Sequence, residues 1–229
     1  MLVTVAFVSQ KGGVGKSTLA RALAAVAVSA KIRVKVADLD PQQQTVARWE
    51  ERREDNRSGP ALSVVSVGTA AEALQCSDPR DELLIIDAPA RAGRGTLEVA
   101  RHADLIVQPT GAGIDDLDPA IMLFQELVRE GVARGRLVMA FCRVATQAEE
   151  DAARAYVLKA GYAVLPGSIR ERSAYREAHN RGRAVSEMNA KGLNGRADTL
   201  LARLLAMITD QVKARVEAAK SQKRKGKAR

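Results

Sequence analysis

The stretch from Val3 to Thr18, VTVAFVSQKGGVGKST, constrains this chain more than any other. An aliphatic run of strand character leads directly into three glycines, and a helical pattern begins around Gly15. That order gathers the backbone N–H groups of a loop and the open N-terminus of a helix around one point, where they hold anionic phosphate oxygens. Gly12, Gly13 and Gly15, with Val14 between them, allow a close backbone approach that side chains would block. Lys16 then offers a point charge to the outer phosphates, and Ser17, followed by Thr18, offers a hydroxyl to Mg²⁺.

The remaining sequence supplies the scaffold such a loop needs. Strand-like aliphatic runs recur at Leu2–Val8, Arg33–Ala37, Leu62–Val67, Leu83–Ile86, Leu105–Gln108, Leu137–Phe141 and Ala163–Leu165. Helical periodicity appears between most of them, at Lys16–Ser29, Gln43–Glu54, Leu117–Arg129 and Ala148–Lys159. This alternation predicts an α/β fold, a doubly wound and mostly parallel sheet with helices on both faces. Aromatic residues are 3% of the 229 residues, so the core must be aliphatic, as suits buried parallel strands. In such sheets ligands gather at the carboxyl ends of strands, and QKGGVGKST, DLDPQ and DAPA all fall there.

Charge divides the chain unequally. Lys213–Arg229 carries eight basic residues and one acid, +7 of the total +9, which leaves +2 for the other 212 residues. We therefore expect one domain over 1–212 and a disordered basic tail over 213–229. Cys76 and Cys142 are too few for a disulfide framework, which points to a reducing cytoplasm. Met1–Val8 reads as a strand rather than a secretion signal. No run of 18 apolar residues is present to span a membrane.

Two further strand ends carry acids. In VKVADLDPQQQ, Asp38 and Asp40 stand one residue apart, where carboxylates bind metal or orient water. In DELLIIDAPA an aliphatic run closes on Asp87, the arrangement that holds a metal or its water beside Ser17.

Around these acids the loop departs from the common G-x-x-x-x-G-K-[ST] pattern: Gln10 replaces its first glycine and Lys11 follows. KGGVGKS resembles the deviant phosphate loop of the ParA/MinD class of ATPases, which includes nitrogenase iron protein and arsenite-pump ATPases. DLDPQ at Asp38–Gln42 resembles the DxDPQ switch motif of ParA proteins, and IIDAPA their IIDxPP, with Ala90 in place of a proline. Gly182, Val185 and Glu187 match a C-terminal G-x-x-V-x-E step. The resemblance covers most of the chain and is to the small type without a helix-turn-helix domain. It implies a homodimer in which Lys11 crosses the interface to the partner's ATP. It also implies that Asp40 positions the attacking water, that Asp38 supports metal and loop, and that Arg143 lies near the adenine.

Between Arg170 and Arg196 seven basic residues, among them Arg170, Arg172, Arg176, Arg181, Arg183 and Lys191, oppose three acids. With almost no aromatics interleaved, the segment fits contacts to duplex phosphates better than base stacking. The resemblance implies non-specific duplex DNA binding in the ATP form, a centromere-binding (ParB-like) partner, and a cytoplasmic, nucleoid-associated ATPase that partitions plasmid or chromosomal DNA. A ParA relative serving conjugative transfer would look the same. A MinD-like membrane-surface regulator needs an apolar C-terminal helix face, and after Ile208 only Val212 and Val216 remain among the lysines. A reductase on this fold needs interface cysteines, which Cys76 and Cys142 do not supply.

Overall fold

A strand that is apolar on both faces must be covered on both, and β1 (Val3–Phe7) and β4 (Leu83–Asp87) are buried throughout. The computed structural model describes residues 1–90, 93–188 and 195–227, with side chains to Glu217, and it places these two strands side by side in mid-sheet. β2 (Val34–Asp38) and β3 (Ser63–Ser66) extend one side. β5 (Leu105–Thr110), β6 (Leu137–Val144) and β7 (Ala163–Val164) extend the other, in the order β3-β2-β4-β1-β5-β6-β7. A short β8 (Ile169–Arg170) pairs with the end of β6. Every pairing is parallel among the described residues. The doubly wound α/β fold expected from the sequence is the one observed.

Successive side chains of a strand point to opposite faces, and here they feed two cores. Val3, Val5 and Phe7 pack with α1 (Lys16–Ser29), α2 (Thr45–Asp55), α7 (Ser173–Asn180) and α8 (Gly195–Lys227). Ala6 and Val8 pack on the other face with α3 (Ala70–Gln75), α4 (Arg94–His102), α5 (Ile114–Arg129) and α6 (Gln147–Lys159). Register sets the site: Phe7 and Asp38 both lie opposite Asp87, so β1, β2 and β4 end level at one edge.

Several boundaries differ from the sequence reading. α3, α4 and α7 have only 6, 9 and 8 residues, too few for periodicity to stand out. α2 starts at Thr45 rather than Gln43, because Gln44 adopts a left-handed backbone (φ 47°). α8 runs without a break past position 212 and is helical as far as Lys227. Its first half is anchored in the core by Leu200, Leu201, Leu204 and Ile208. The Ala-, Lys- and Arg-rich continuation consists of good helix formers, and Arg215 ties it to the Leu2 carbonyl and Asp104.

One buried acid in α2 gives the fold a pH dependence. Burial pushes the Glu50 carboxyl up to about 7, against the Leu62 N–H that it accepts at 2.7 Å and the Arg53 charge, with Glu54 and Glu187 pushing the same way as burial. The folded state therefore holds a proton that the unfolded chain has lost, between the ordinary carboxylate range and pH 7. That stabilisation is complete below pH 4 and disappears as pH rises through 7. Glu50→Gln should flatten this slope, worth about 1–3 kcal/mol, in denaturant melts at pH 5 and pH 8. Equal slopes in the two proteins would place the titration elsewhere.

Candidate functional site

α1 begins where the chain can turn only as glycine. Gly13 (φ 74°) and Gly15 (φ 107°) have left-handed backbones, and a Cβ on Gly15 would lie 2.9 Å from Cys142 Sγ and 3.0 Å from its Cβ. The loop thus rests directly on β6. No side chain caps α1 and its first turn holds no acid, so its amides and dipole face outward unopposed. Gly12, Gly13, Gly15, Lys16, Ser17, Thr18, Asp40 and Asp87 line one cleft of about 530 Å³. Val14 is turned inward and buried.

Lys16 is 8% exposed, and its ammonium donates to Ser9 Oγ at 2.8 Å. Burial holds its pKa below the usual lysine value, while Asp87 and Asp40 pull the other way. Asp87 is buried at the end of β4, where burial raises its pKa to about 7. A hydrogen bond from Ser17 opposes that rise, as do the charges of Lys16 and Arg21, whereas Asp38 adds to it. Asp87 Oδ1 has no hydrogen-bond partner, an arrangement that a nearby cation or its bound water would satisfy. Among the described residues no three His, Cys, Asp or Glu side chains converge on a metal position. The set of Ser17 hydroxyl and single carboxylate suits Mg²⁺, which keeps waters and takes its remaining oxygens from phosphates.

The two acids of the switch segment do different work. Asp38 Oδ2 accepts from the Val46 and Ala47 amides at 2.7 and 3.2 Å, and Oδ1 from the Asp40 amide at 3.3 Å. Both oxygens take part in holding the loop and the first turn of α2, and Oδ1, with a single amide donor, keeps acceptor capacity. Asp40 is partly exposed, lines the cleft and accepts from the Gln43 amide at 3.1 Å.

Lys11 is not in the cleft. Its ammonium pairs with Asp116 Oδ1 at 2.9 Å and donates to the Asp115 carbonyl. That carbonyl is available because Pro119, four residues on within α5, has no N–H to give it.

A second chamber of about 280 Å³ shares Gly13, Gly15 and Thr18 with the first. It contains Arg143, whose guanidinium reaches the Gly13 carbonyl at 3.4 Å and pairs with Glu171 at 2.8 Å. Tyr175 and His179 line it too, and neither was singled out from the sequence. The sequence reading also missed Arg21, one turn beyond Ser17 on the same face of α1, which lines the cleft and donates to the Thr45 carbonyl. Helical spacing was the signal that pointed to it.

The expected basic segment divides in two. Arg196 is consumed by buried Glu150 and Ser168. Arg172 and Arg183 are exposed and form no ion pair among the described residues, whereas Arg176 and Arg181 pair at the surface with Glu171 and Glu177. Arg170 reaches the Ala145 carbonyl at 3.4 Å. Lys191 lies outside the described residues, as do the side chains beyond Glu217.

No curated protein sequence matches the chain. Apo McdA from Cyanothece is 20% identical, with a TM-score of 0.68 over 90% of this chain and 100% of its own. MinD from Pyrococcus horikoshii OT3 in complex with Mg-ADP is 16% identical, with a TM-score of 0.67 over 89% of this chain and 96% of its own. A ParA family ATPase from Chlorobium tepidum TLS is 15% identical, with a TM-score of 0.63 over 88% and 98%. At these identities the likeness speaks for the fold alone. The family model described as the CobQ/CobB/MinD/ParA nucleotide binding domain matches residues 5–185, from β1 to the step after α7, and the chain therefore belongs to that family.

Proposed function

We infer that this protein is a ParA-type partition ATPase, which binds ATP with Mg²⁺, dimerises around it, and in that state holds duplex DNA without sequence preference. The observation that carries the reading is one sheet edge that presents Lys16, Ser17, Asp40 and Asp87 to a single cleft, with a second lysine, Lys11, in the same glycine loop. Mg²⁺ would neutralise phosphate charge and orient the outer phosphate. Lys16 would exchange Ser9 for phosphate, Ser17 and Asp87 would hold the cation and its water, and Asp40 would hold the attacking water. Most of what a protein contributes to phosphoryl transfer is such positioning.

Duplex DNA is the proposed cargo contact because Arg172, Arg176, Arg181 and Arg183 are exposed on and around α7. A dimer presents each patch twice, so weak contacts become useful binding only when ATP joins the halves. A centromere-binding partner would stimulate turnover. Among the described residues no helix is long and apolar enough to cross a membrane, and α8 offers a MinD-like surface anchor little apolar area.

Binding of a random-sequence duplex at several salt concentrations tests the reading. Log affinity in ATP should fall with log salt at roughly 0.9 per phosphate contact. Changing Arg172, Arg181 and Arg183 together to Glu should weaken binding at least about 100-fold. Binding that is equally tight in ADP, insensitive to salt, or confined to one sequence would overturn it.

A further inference from the structure

The Arg181–Arg183 turn is fastened to α2 and the turn that follows it through three consecutive carbonyls. Ser58 Oγ donates to the Arg181 carbonyl at 2.6 Å, Arg53 to the Gly182 carbonyl at 3.0 Å, and Trp49 Nε1 to the Arg183 carbonyl at 3.3 Å. Arg53, its side chain 1% exposed, also pairs in bidentate fashion with Glu187. Gly182 seals the contact: a Cβ there would lie 2.3 Å from both the N and the Cα of Arg53. Backbone meets backbone, so the turn cannot shift unless α2 shifts.

The other end of α2 is built into the nucleotide cleft. Asp38 holds the Val46 and Ala47 amides, and Arg21, a cleft-lining residue, holds the Thr45 carbonyl. The Arg21 guanidinium lies 5.6 Å from the Trp49 ring centroid and that of Arg53 lies 5.3 Å from it, so the fully buried indole lies within cation–π range of both. Between Asp40 and α2 stands Gln44, a non-glycine residue at φ 47° and ψ 43°. Such conformations cost energy and persist at switches, where a second arrangement is within reach.

We propose that α2 is a coupling lever: occupancy of the phosphate cleft reorients it about Gln44, and the Arg181–Arg183 turn follows because Trp49, Arg53 and Glu187 bind it to the helix. Arg53 and Glu187 are then positioning residues with no contact to nucleotide. Only the DNA arm of the test below rests on the reading of that turn as a DNA contact.

Hydrogen exchange with and without ATP and Mg²⁺ tests the lever directly, using the full chain. In the wild type, amide exchange should change about tenfold in both Thr45–Asp55 and Ser173–Glu187. The emission of Trp49, the single tryptophan, should shift with them. In Glu187→Gln and in the wedge variant Gly182→Ala, ATP should still move Trp49 and Thr45–Asp55, with turnover within about twofold of wild type. Ser173–Glu187 should no longer respond, and the preference of DNA for the ATP form over the ADP form should fall about tenfold. If Gly182→Ala melts early, Glu187→Gln decides, since it keeps the side chain's shape. A Ser173–Glu187 segment that ignores ATP in wild type, or responds equally in both variants, overturns the lever. A wild type that binds no duplex in either state instead overturns the DNA reading and leaves the exchange result to judge the coupling.

Discussion

Asp40→Ala should bind ATP at close to wild-type affinity and lose turnover by roughly two to three orders of magnitude. The expectation rests on what each acid touches. Asp38 spends both carboxylate oxygens on three backbone amides, and its replacement would release the first turn of α2. Asp87 is buried against Ser17, and its replacement would disturb the cation end of the cleft. Asp40 alone among the three is partly exposed, faces the cleft and gives only one oxygen, to the Gln43 amide. It can therefore orient a water without being needed to hold the loop. Single-turnover hydrolysis beside equilibrium binding of a fluorescent ATP analogue separates the two effects. Wild-type turnover in Asp40→Ala would make this residue structural and move the water elsewhere. Asp38→Ala should behave differently, with weaker nucleotide binding and a lower melting temperature as well as slower turnover.

What the sequence disclosed and what it withheld follow from distance along the chain. The loop was legible because its strand, glycines, lysine and helix are contiguous from Val3 to Ser29. Asp38 and Asp87 were legible because each ends a strand, with Asp40 two residues on, and parallel strands end at one edge, as the pairing of both Phe7 and Asp38 with Asp87 shows. Contacts between remote residues were not legible. Nothing in the one-dimensional pattern links Lys11 to Asp116, 105 residues away, or Arg53 to Glu187, 134 residues away. Pro119 did announce a carbonyl without its helical donor, yet only the fold shows that Lys11 takes it. The tail is legible in two ways, since its charge density suggests disorder while the same lysines, arginines and alanines favour a helix that extends from the anchor at Leu200–Ile208.

The second lysine carries the other large effect: Lys11→Ala should keep nucleotide binding and lose ATP-dependent dimerisation by at least about 100-fold. Removing one member of a close, desolvated charge pair across an interface costs about 2–5 kcal/mol. In the single chain Lys11 is held instead by Asp116 and the Asp115 carbonyl, and its side chain is 42% exposed and that of Asp116 36%. An ion pair so exposed is worth only about 0–1 kcal/mol. In the proposed dimer a contact to the partner's phosphates would therefore win by a wide margin, and the local pair would serve as a resting place that the lysine leaves on dimerisation. Asp116→Ala, which removes the resting place and leaves the lysine, should strengthen dimerisation by no more than about fivefold. Sedimentation velocity with ATP and Mg²⁺ reads both variants on one scale. Equal dimerisation of wild type and Lys11→Ala would remove the two-nucleotide sandwich, and a collapse of dimerisation in Asp116→Ala would show that the Lys11–Asp116 pair belongs to the dimer itself.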